Sequence, residues 1–159
     1  MIGTRRYTAK DAEAFLTLYR ACLEHYHVGR ASLEDEAKII ALLNQDRHMA
    51  CLLAFEGDVA MGFATWALTF PAGSGTALYM KELFVPESAR GRGVGRALMS
   101  GLIRMAQTEG CVRVDWQTDG PNKAAQHFYA RMGAPRYEKI TYRINQTDYD
   151  TFLAALDPA

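Results

Sequence analysis

Residues 83–95, LFVPESARGRGVG, run an apolar stretch through Pro86 into a loop containing Arg90, Gly91, Arg92, Gly93 and Gly95. Glycines let backbone N–H groups turn toward one point without side-chain interference, and the apolar periodicity from Val94 onward makes the loop the N-terminus of a helix. An anion there meets unpaired amides and the positive end of the helix dipole. The chain must therefore supply a strand entering this loop, a helix leaving it and a sheet to carry both.

The rest of the pattern supplies them. A short strand is expected over residues 5–7. A helix follows, capped by Thr8 or Asp11, with Ala12, Phe15, Tyr19, Cys22, Leu23 and Tyr26 on its apolar face and an end near Gly29. Ser32, followed by Asp35 and Glu36, opens a second helix that turns Ile39, Ile40 and Leu43 inward. Residues 49–55 and 59–70 read as a hairpin about the turn Glu56-Gly57-Asp58, and a turn at residues 71–75 leads to a strand over 77–85. Beyond the loop, Val94, Ala97, Leu98, Gly101, Leu102 and Met105 recur at helical spacing up to Gly110. A strand over 112–118, a helix over 122–132, a strand over 137–144 and a short closing helix after Thr147 complete the order. The expected fold is α/β in the α+β sense: a mixed, mostly antiparallel central sheet flanked by helices, with residues 1–159 as one domain.

Composition narrows the class. Eighteen basic and eighteen acidic side chains cancel and apolar residues make up 49%, which disfavours disorder and a nucleic-acid partner. Cys22, Cys51 and Cys111 are scattered and odd in number, so they read as reduced core thiols. His25 and His27 point to different faces of a helix and read as surface histidines, with no metal expected. No run approaches the ~20 apolar residues of a membrane span, and the start of the chain lacks a signal-peptide pattern. A cytoplasmic protein without a membrane partner is expected.

Three kinds of phosphate loop compete for residues 90–96. A Walker loop needs Lys and then Ser or Thr after the last glycine, where this chain has Arg96 and Ala97. A dinucleotide fingerprint fits loosely through Gly91, Gly93 and Ala97, with Asp115 as the acidic residue, but an antiparallel meander does not precede such a loop. The third kind, which binds the pyrophosphate of coenzyme A, needs Arg or Gln, two residues, Gly, one residue, then Gly or Ala. Arg90, Gly93 and Gly95 satisfy it. With Asn122, Ala125, Phe128, Tyr129 and Gly133-Ala134 following in the later helix, the chain resembles the GNAT superfamily of acetyl-CoA-dependent N-acetyltransferases. The run YMKELFV together with Asp115-Trp116 and Asn122 bears a softer resemblance to its diamine and polyamine branch.

The resemblance implies that backbone amides of Arg90, Gly91, Arg92, Gly93, Val94, Gly95 and Arg96 hold the pyrophosphate of acetyl-CoA. It also implies that Leu83, Phe84 and Val85 offer main-chain groups to the pantetheine arm where the sheet splays. A strand edge can do this, because the arm carries amides that pair much as a peptide would. Tyr129 is implied as the acid that protonates the departing thiolate, the alternative being a core tyrosine with its hydroxyl at the rim. Asn122 helps fix the cofactor, caps its helix, or both.

Acetyl transfer to an amine requires a neutral nitrogen, a stabilised oxyanion and a proton for the thiolate. Glu82 is the candidate base: alternation puts it on the face opposite Leu83, and the same rule keeps Phe84 off the face of Leu83. An ordinary ion pair with Lys81 or an arginine is the competing reading, and a water chain could replace a dedicated base. Strand alternation also makes Trp116 a core residue. Acceptor specificity is expected from Glu24, His25, Tyr26, His27 and Arg30 and from the strand pair around residues 66–70, with Glu24, Glu82, Asp115 and Asp119 as carboxylates for a cationic amine. No cysteine lies beside the loop with a His partner, so direct attack on a small-molecule amine is expected rather than an acetyl-cysteine route. The rival is a non-catalytic acyl-CoA-binding module. A homodimer is consistent with the resemblance.

Overall fold

The computed structural model describes residues 1–70, 73 and 75–156. They fall into two compact units, Met1–Gln117 and Thr118–Ala159. The first carries a five-stranded sheet in the order β1 (Ile2–Arg6), β2 (Ala50–Glu56), β3 (Val59–Thr69), β4 (Ala77–Phe84) and β5 (Arg113–Trp116). The first three pairings are antiparallel and β4 with β5 is parallel, as the strand, loop, helix, strand order requires. Of the turn expected at residues 71–75, positions 71, 72 and 74 lie outside the described residues.

Helices α1 (Ala12–His25) and α2 (Leu33–Gln45) cover one face of this sheet and α3 (Val94–Thr108) the other. On the first face, Phe15, Leu16, Leu18 and Cys22 of α1 and Leu43 of α2 pack against Cys51, Leu53, Phe63 and Phe84. The Phe15 ring meets Phe63 edge-on with centroids 5.2 Å apart, and Phe63 meets Phe84 at 5.9 Å. On the second face, α3 buries Val94, Leu98, Met99, Gly101, Leu102 and Ala106. A sheet covered on both sides explains why Ala50, Cys51, Leu52, Leu53 and Ala54 are all buried instead of alternating.

The first strand begins earlier than expected, at Ile2 instead of residue 5, because its register comes from pairing Ile2 with Glu56 through Arg6 with Leu52. Its residues alternate between half-buried and exposed, as suits an edge strand. The corner into α1 is tied by Asp11. That carboxylate accepts from Arg5 Nη1 and Nη2 at 2.7 Å each and from the Thr8 amide and hydroxyl at 2.8 Å each. Ser32 caps α2 by accepting from the Asp35 amide at 3.1 Å.

The second unit contains α4 (Lys123–Arg131), a short 3-10 turn (Gln146–Asp148) and α5 (Tyr149–Leu156). The closing helix is therefore present, with Tyr149, Phe152, Leu153 and Leu156 all exposed. The strand expected over 137–144 is not formed. Those residues take no regular structure, and the side chains of Tyr137, Ile140 and Tyr142 are more than four-fifths exposed. Alternation of apolar and polar residues marks a chain suited to pleating, but a strand exists only where a neighbour supplies its hydrogen bonds. Among the described residues, no helix is long and apolar enough to cross a membrane.

Candidate active site

After β4 the chain passes Pro86 and a 3-10 turn (Glu87–Ala89) anchored by the buried Ala89. Gly91 and Gly93 then take left-handed backbone conformations, φ 75° and 85°, which a side chain would resist. Gly93 is the N-cap of α3, and no side chain caps the helix. The first intrahelical bond there runs from the Ala97 amide to the Gly93 carbonyl at 3.0 Å, so the amides of Val94, Gly95 and Arg96 have no acceptor within the helix. With no acidic side chain in the first turn, these amides and the helix dipole form a site for a negative charge.

The arginines of the loop are held differently from one another. Arg92 contacts the Glu56 carboxylate at the end of β2. Arg90 folds back, donating from Nε to the Val85 carbonyl at 3.1 Å, with Nη2 3.3 Å from His25 Nε2. Val94 is buried, which leaves only its main chain for a ligand. Phe84 is likewise buried, whereas Leu83 and Val85 are half-buried.

Beside the loop the sheet opens. β5 pairs with β4 only from Ala77 to Met80. Leu83 and Phe84 pair with β3, opposite Ala64 and Phe63, and among the described strands none pairs with the other edge of β4 beyond Met80. Gly62 permits this arrangement: a β-carbon there would sit 2.7 Å from the Phe84 carbonyl oxygen and 3.1 Å from Val94 Cγ1. Sequence reading passed over Gly62, although a glycine inside an apolar strand is itself a sign of close backbone approach.

Glu82 owes its position to a bulge. Thr65 pairs with Glu82 but Trp66 pairs with Met80, leaving Lys81 as an extra residue on β4. Glu82 consequently shares the α1 face with Phe63 and Phe84. Its Oε1 accepts from the Tyr26 hydroxyl at 3.2 Å. Burial, reinforced by the negative charge of Glu82, pushes the nearby Cys22 thiol up to about 12, so this cysteine stays protonated and is no nucleophile.

In the second unit Asn122 caps α4, its Oδ1 accepting from the Ala125 amide at 3.0 Å. Tyr129 is half-buried, its ring edge-on to Phe128 with centroids 5.1 Å apart. The Tyr129 carbonyl accepts from the amides of Met132 and Ala134 where Gly133 ends the helix.

The other residues expected to shape the acceptor side differ in exposure and in partners. Trp66 is 3% exposed, with the Arg6 guanidinium 5.3 Å from its ring, and serves the α3 side of the core. Asp115 accepts from Arg113 Nε at 2.8 Å, which offsets its charge toward a cationic acceptor. Trp116 is half-buried instead of fully in the core. His25, His27, Glu24 and Arg30 are exposed at and after the end of α1. Among the described residues no group of His, Cys, Asp or Glu could hold a metal, and all three cysteines are unpaired thiols.

Residues 12–134 match the Acetyltransferase (GNAT) family, and the chain belongs to it. It is an N-acetyltransferase whose co-substrate is acetyl-CoA. The aminoglycoside N(6')-acetyltransferase type 1 of Salmonella typhimurium is 26% identical over 120 residues, covering 73% of this chain and 80% of that protein. The D-amino-acid N-acetyltransferase HPA3 of Saccharomyces cerevisiae is 38% identical over 68 residues, and that match spans 43% of this chain and 42% of the yeast protein. Among solved structures, an integron cassette protein from the mobile metagenome of V. cholerae superposes with a TM-score of 0.83 at 29% identity, covering 96% of this chain and 97% of that one.

Proposed function

We propose that this chain transfers the acetyl group of acetyl-CoA to a primary amine of a small molecule by direct attack in a ternary complex. The observation that carries the reading is the uncapped first turn of α3, reached through two left-handed glycines, beside the open edge of β4. In it the amides of residues 90–96 hold the diphosphate, with the Arg90, Arg92 and Arg96 side chains around it. The main chain of Leu83, Phe84 and Val85 pairs with the pantetheine arm, which brings the thioester alongside Glu82. Glu82 takes a proton from the incoming ammonium, directly or through water, and the neutral nitrogen attacks the carbonyl carbon. As the tetrahedral intermediate collapses, the C–S bond breaks and Tyr129 protonates the thiolate; the second excess proton on nitrogen passes through water to the tyrosinate and the proton on Glu82 leaves to solvent, giving coenzyme A and the acetamide. Asn122 orders the start of the helix that carries Tyr129.

The acceptor we infer is a polycationic small molecule such as an aminoglycoside or a polyamine. Support comes from the aminoglycoside acetyltransferase that matches over most of its own length, and from a 27% identical match over 78 residues to a human spermidine/spermine N(1)-acetyltransferase-like protein. Residues 1–159 then act as one catalytic domain in the cytoplasm, needing neither metal, nucleic acid nor membrane. The exposed apolar side chains of Tyr137, Ile140 and Tyr142 fit a homodimer, which the mass in solution tests. A screen of aminoglycosides, polyamines, amino acids and peptides for acetyl-CoA-dependent thiol release decides the acceptor. Turnover of the first two classes supports the reading, and turnover of peptides alone overturns it.

A further inference from the structure

Helices α1, α3 and α4 end in the same left-handed turn, but only two of them place glycine in it. After α3 the position is Gly110, φ 67°, and after α4 it is Gly133, φ 76°. After α1 it is His27, φ 55°, whose amide donates to the Glu24 carbonyl at 3.1 Å while the next amide, Val28, donates to Leu23 at 3.2 Å. His27 thus carries a β-carbon in a conformation that favours glycine at this helix end, as Asp46 does after α2 at φ 48°. What surrounds the end of α1 is the candidate site.

The two residues just before His27 reach two different parts of that site. The His25 ring lies 6.0 Å from the Phe84 ring, and its Nε2 is 3.3 Å from Arg90 Nη2. A guanidinium can only donate, so a hydrogen bond between them needs Nε2 as the acceptor. The same arginine donates from Nε to Val85, the last residue expected to pair with pantetheine. Tyr26 sets its hydroxyl 3.2 Å from Glu82 Oε1. One helix end thus touches both the first arginine of the loop and the Glu82 carboxylate.

We propose that His25 and Tyr26 are positioning residues through which the end of α1 couples the seating of acetyl-CoA to the orientation of Glu82. His25 holds Arg90 across the Val85 carbonyl, which sets the entry to the diphosphate loop. Tyr26 holds the Glu82 carboxylate in the rotamer that faces the acceptor. The Tyr26 half rests on the reading of Glu82 as the base, and the His25 half rests only on acetyl-CoA as co-substrate.

The test uses the whole chain and two readouts: calorimetry with coenzyme A, and steady-state kinetics across pH on the best amine of the acceptor screen. His25→Ala is expected to weaken coenzyme A binding about three- to tenfold with kcat within about twofold, and His25→Gln, which restores an acceptor for Arg90, to recover the affinity. Tyr26→Phe is expected to lower kcat about three- to tenfold and to move the acidic limb of the pH profile, with coenzyme A affinity unchanged. Both side chains are exposed, and thermal unfolding confirms that the variants fold. Wild-type affinity in His25→Ala, or a wild-type kcat and pH profile in Tyr26→Phe, overturns the proposal. Glu82→Gln separates the two readings: wild-type turnover in it removes the base assignment and the Tyr26 half together, and calorimetry decides the His25 half regardless.

Discussion

Met80 and Glu82 lie two positions apart on one strand yet face opposite sides of the sheet. Pairing shows it, since Glu82 sits across from Thr65 and Met80 across from the very next residue, Trp66. The extra residue, Lys81, turns the strand over, so Met80 is buried beneath α3 while Glu82 emerges on the α1 face. In the proposed scheme, this bulge is what brings the Glu82 carboxylate toward the end of the pantetheine arm.

If Glu82 is the base, Glu82→Gln keeps the side-chain shape and removes the proton acceptor. Its kcat/KM is expected to fall about 100-fold with coenzyme A affinity unchanged. Steady-state rates and calorimetry on the same preparation measure both. A loss below about threefold would assign the proton to a water chain.

Tyr129→Phe tests the other end of the reaction. The Phe128 ring contact and the helix end at Gly133 are kept in this variant, and thermal unfolding checks that it folds. Turnover is expected to fall about 10- to 100-fold while coenzyme A binds as before. A pH-rate profile that keeps its basic limb in this variant would place the acid elsewhere.

Direct attack predicts ordinary sequential kinetics and inert core thiols. Cys22, pushed up to about 12, should not react with a thiol reagent near pH 8, nor should the still more deeply buried Cys51. Cys111, only partly buried, is the thiol that should react in the folded protein. A radiolabelled acetyl-protein surviving denaturation would contradict the scheme.

Asp11 links stability to pH. Arg5, with help from Thr8, holds its carboxyl far below the ordinary range, so its contribution is fully present above the unfolded value of about 3.9 and is lost as pH falls toward the folded one. Asp11→Asn is expected to cost about 2 kcal/mol at pH 7, at the lower end because Arg5 is half-exposed. Denaturant unfolding should show the gap between the two proteins narrowing below about pH 4. A gap that is constant down to pH 2 would remove the ion pair as its cause.

What could be read in the sequence was what neighbouring residues determine. The passage from β4 through Gly93 into α3, the caps at Ser32 and Asn122 and the hairpin about Gly57-Asp58 are set by glycine, capping side chains and periodicity over a few residues. Pairing partners are not local, and the errors follow from that. The bulge at Lys81 depends on register with β3. The strand expected over 137–144 has the alternation but no ladder, and Trp66 is claimed by α3 and Arg6, which sequence cannot bring together. Helical spacing puts Tyr26 on the apolar face of α1, yet it is 42% exposed because α1 ends just before it.

The most direct test of the account is calorimetry on the purified chain with coenzyme A and, in parallel, pantetheine, which lacks the diphosphate. One-site binding of coenzyme A is expected, with pantetheine weaker by about 100-fold or more. Gly93→Ala should lose about tenfold in affinity, because its left-handed backbone strains any β-carbon although no neighbour lies within 4 Å. Equal binding of both compounds, or no heat with coenzyme A, would contradict the claim that the amides at the start of α3 grip the diphosphate.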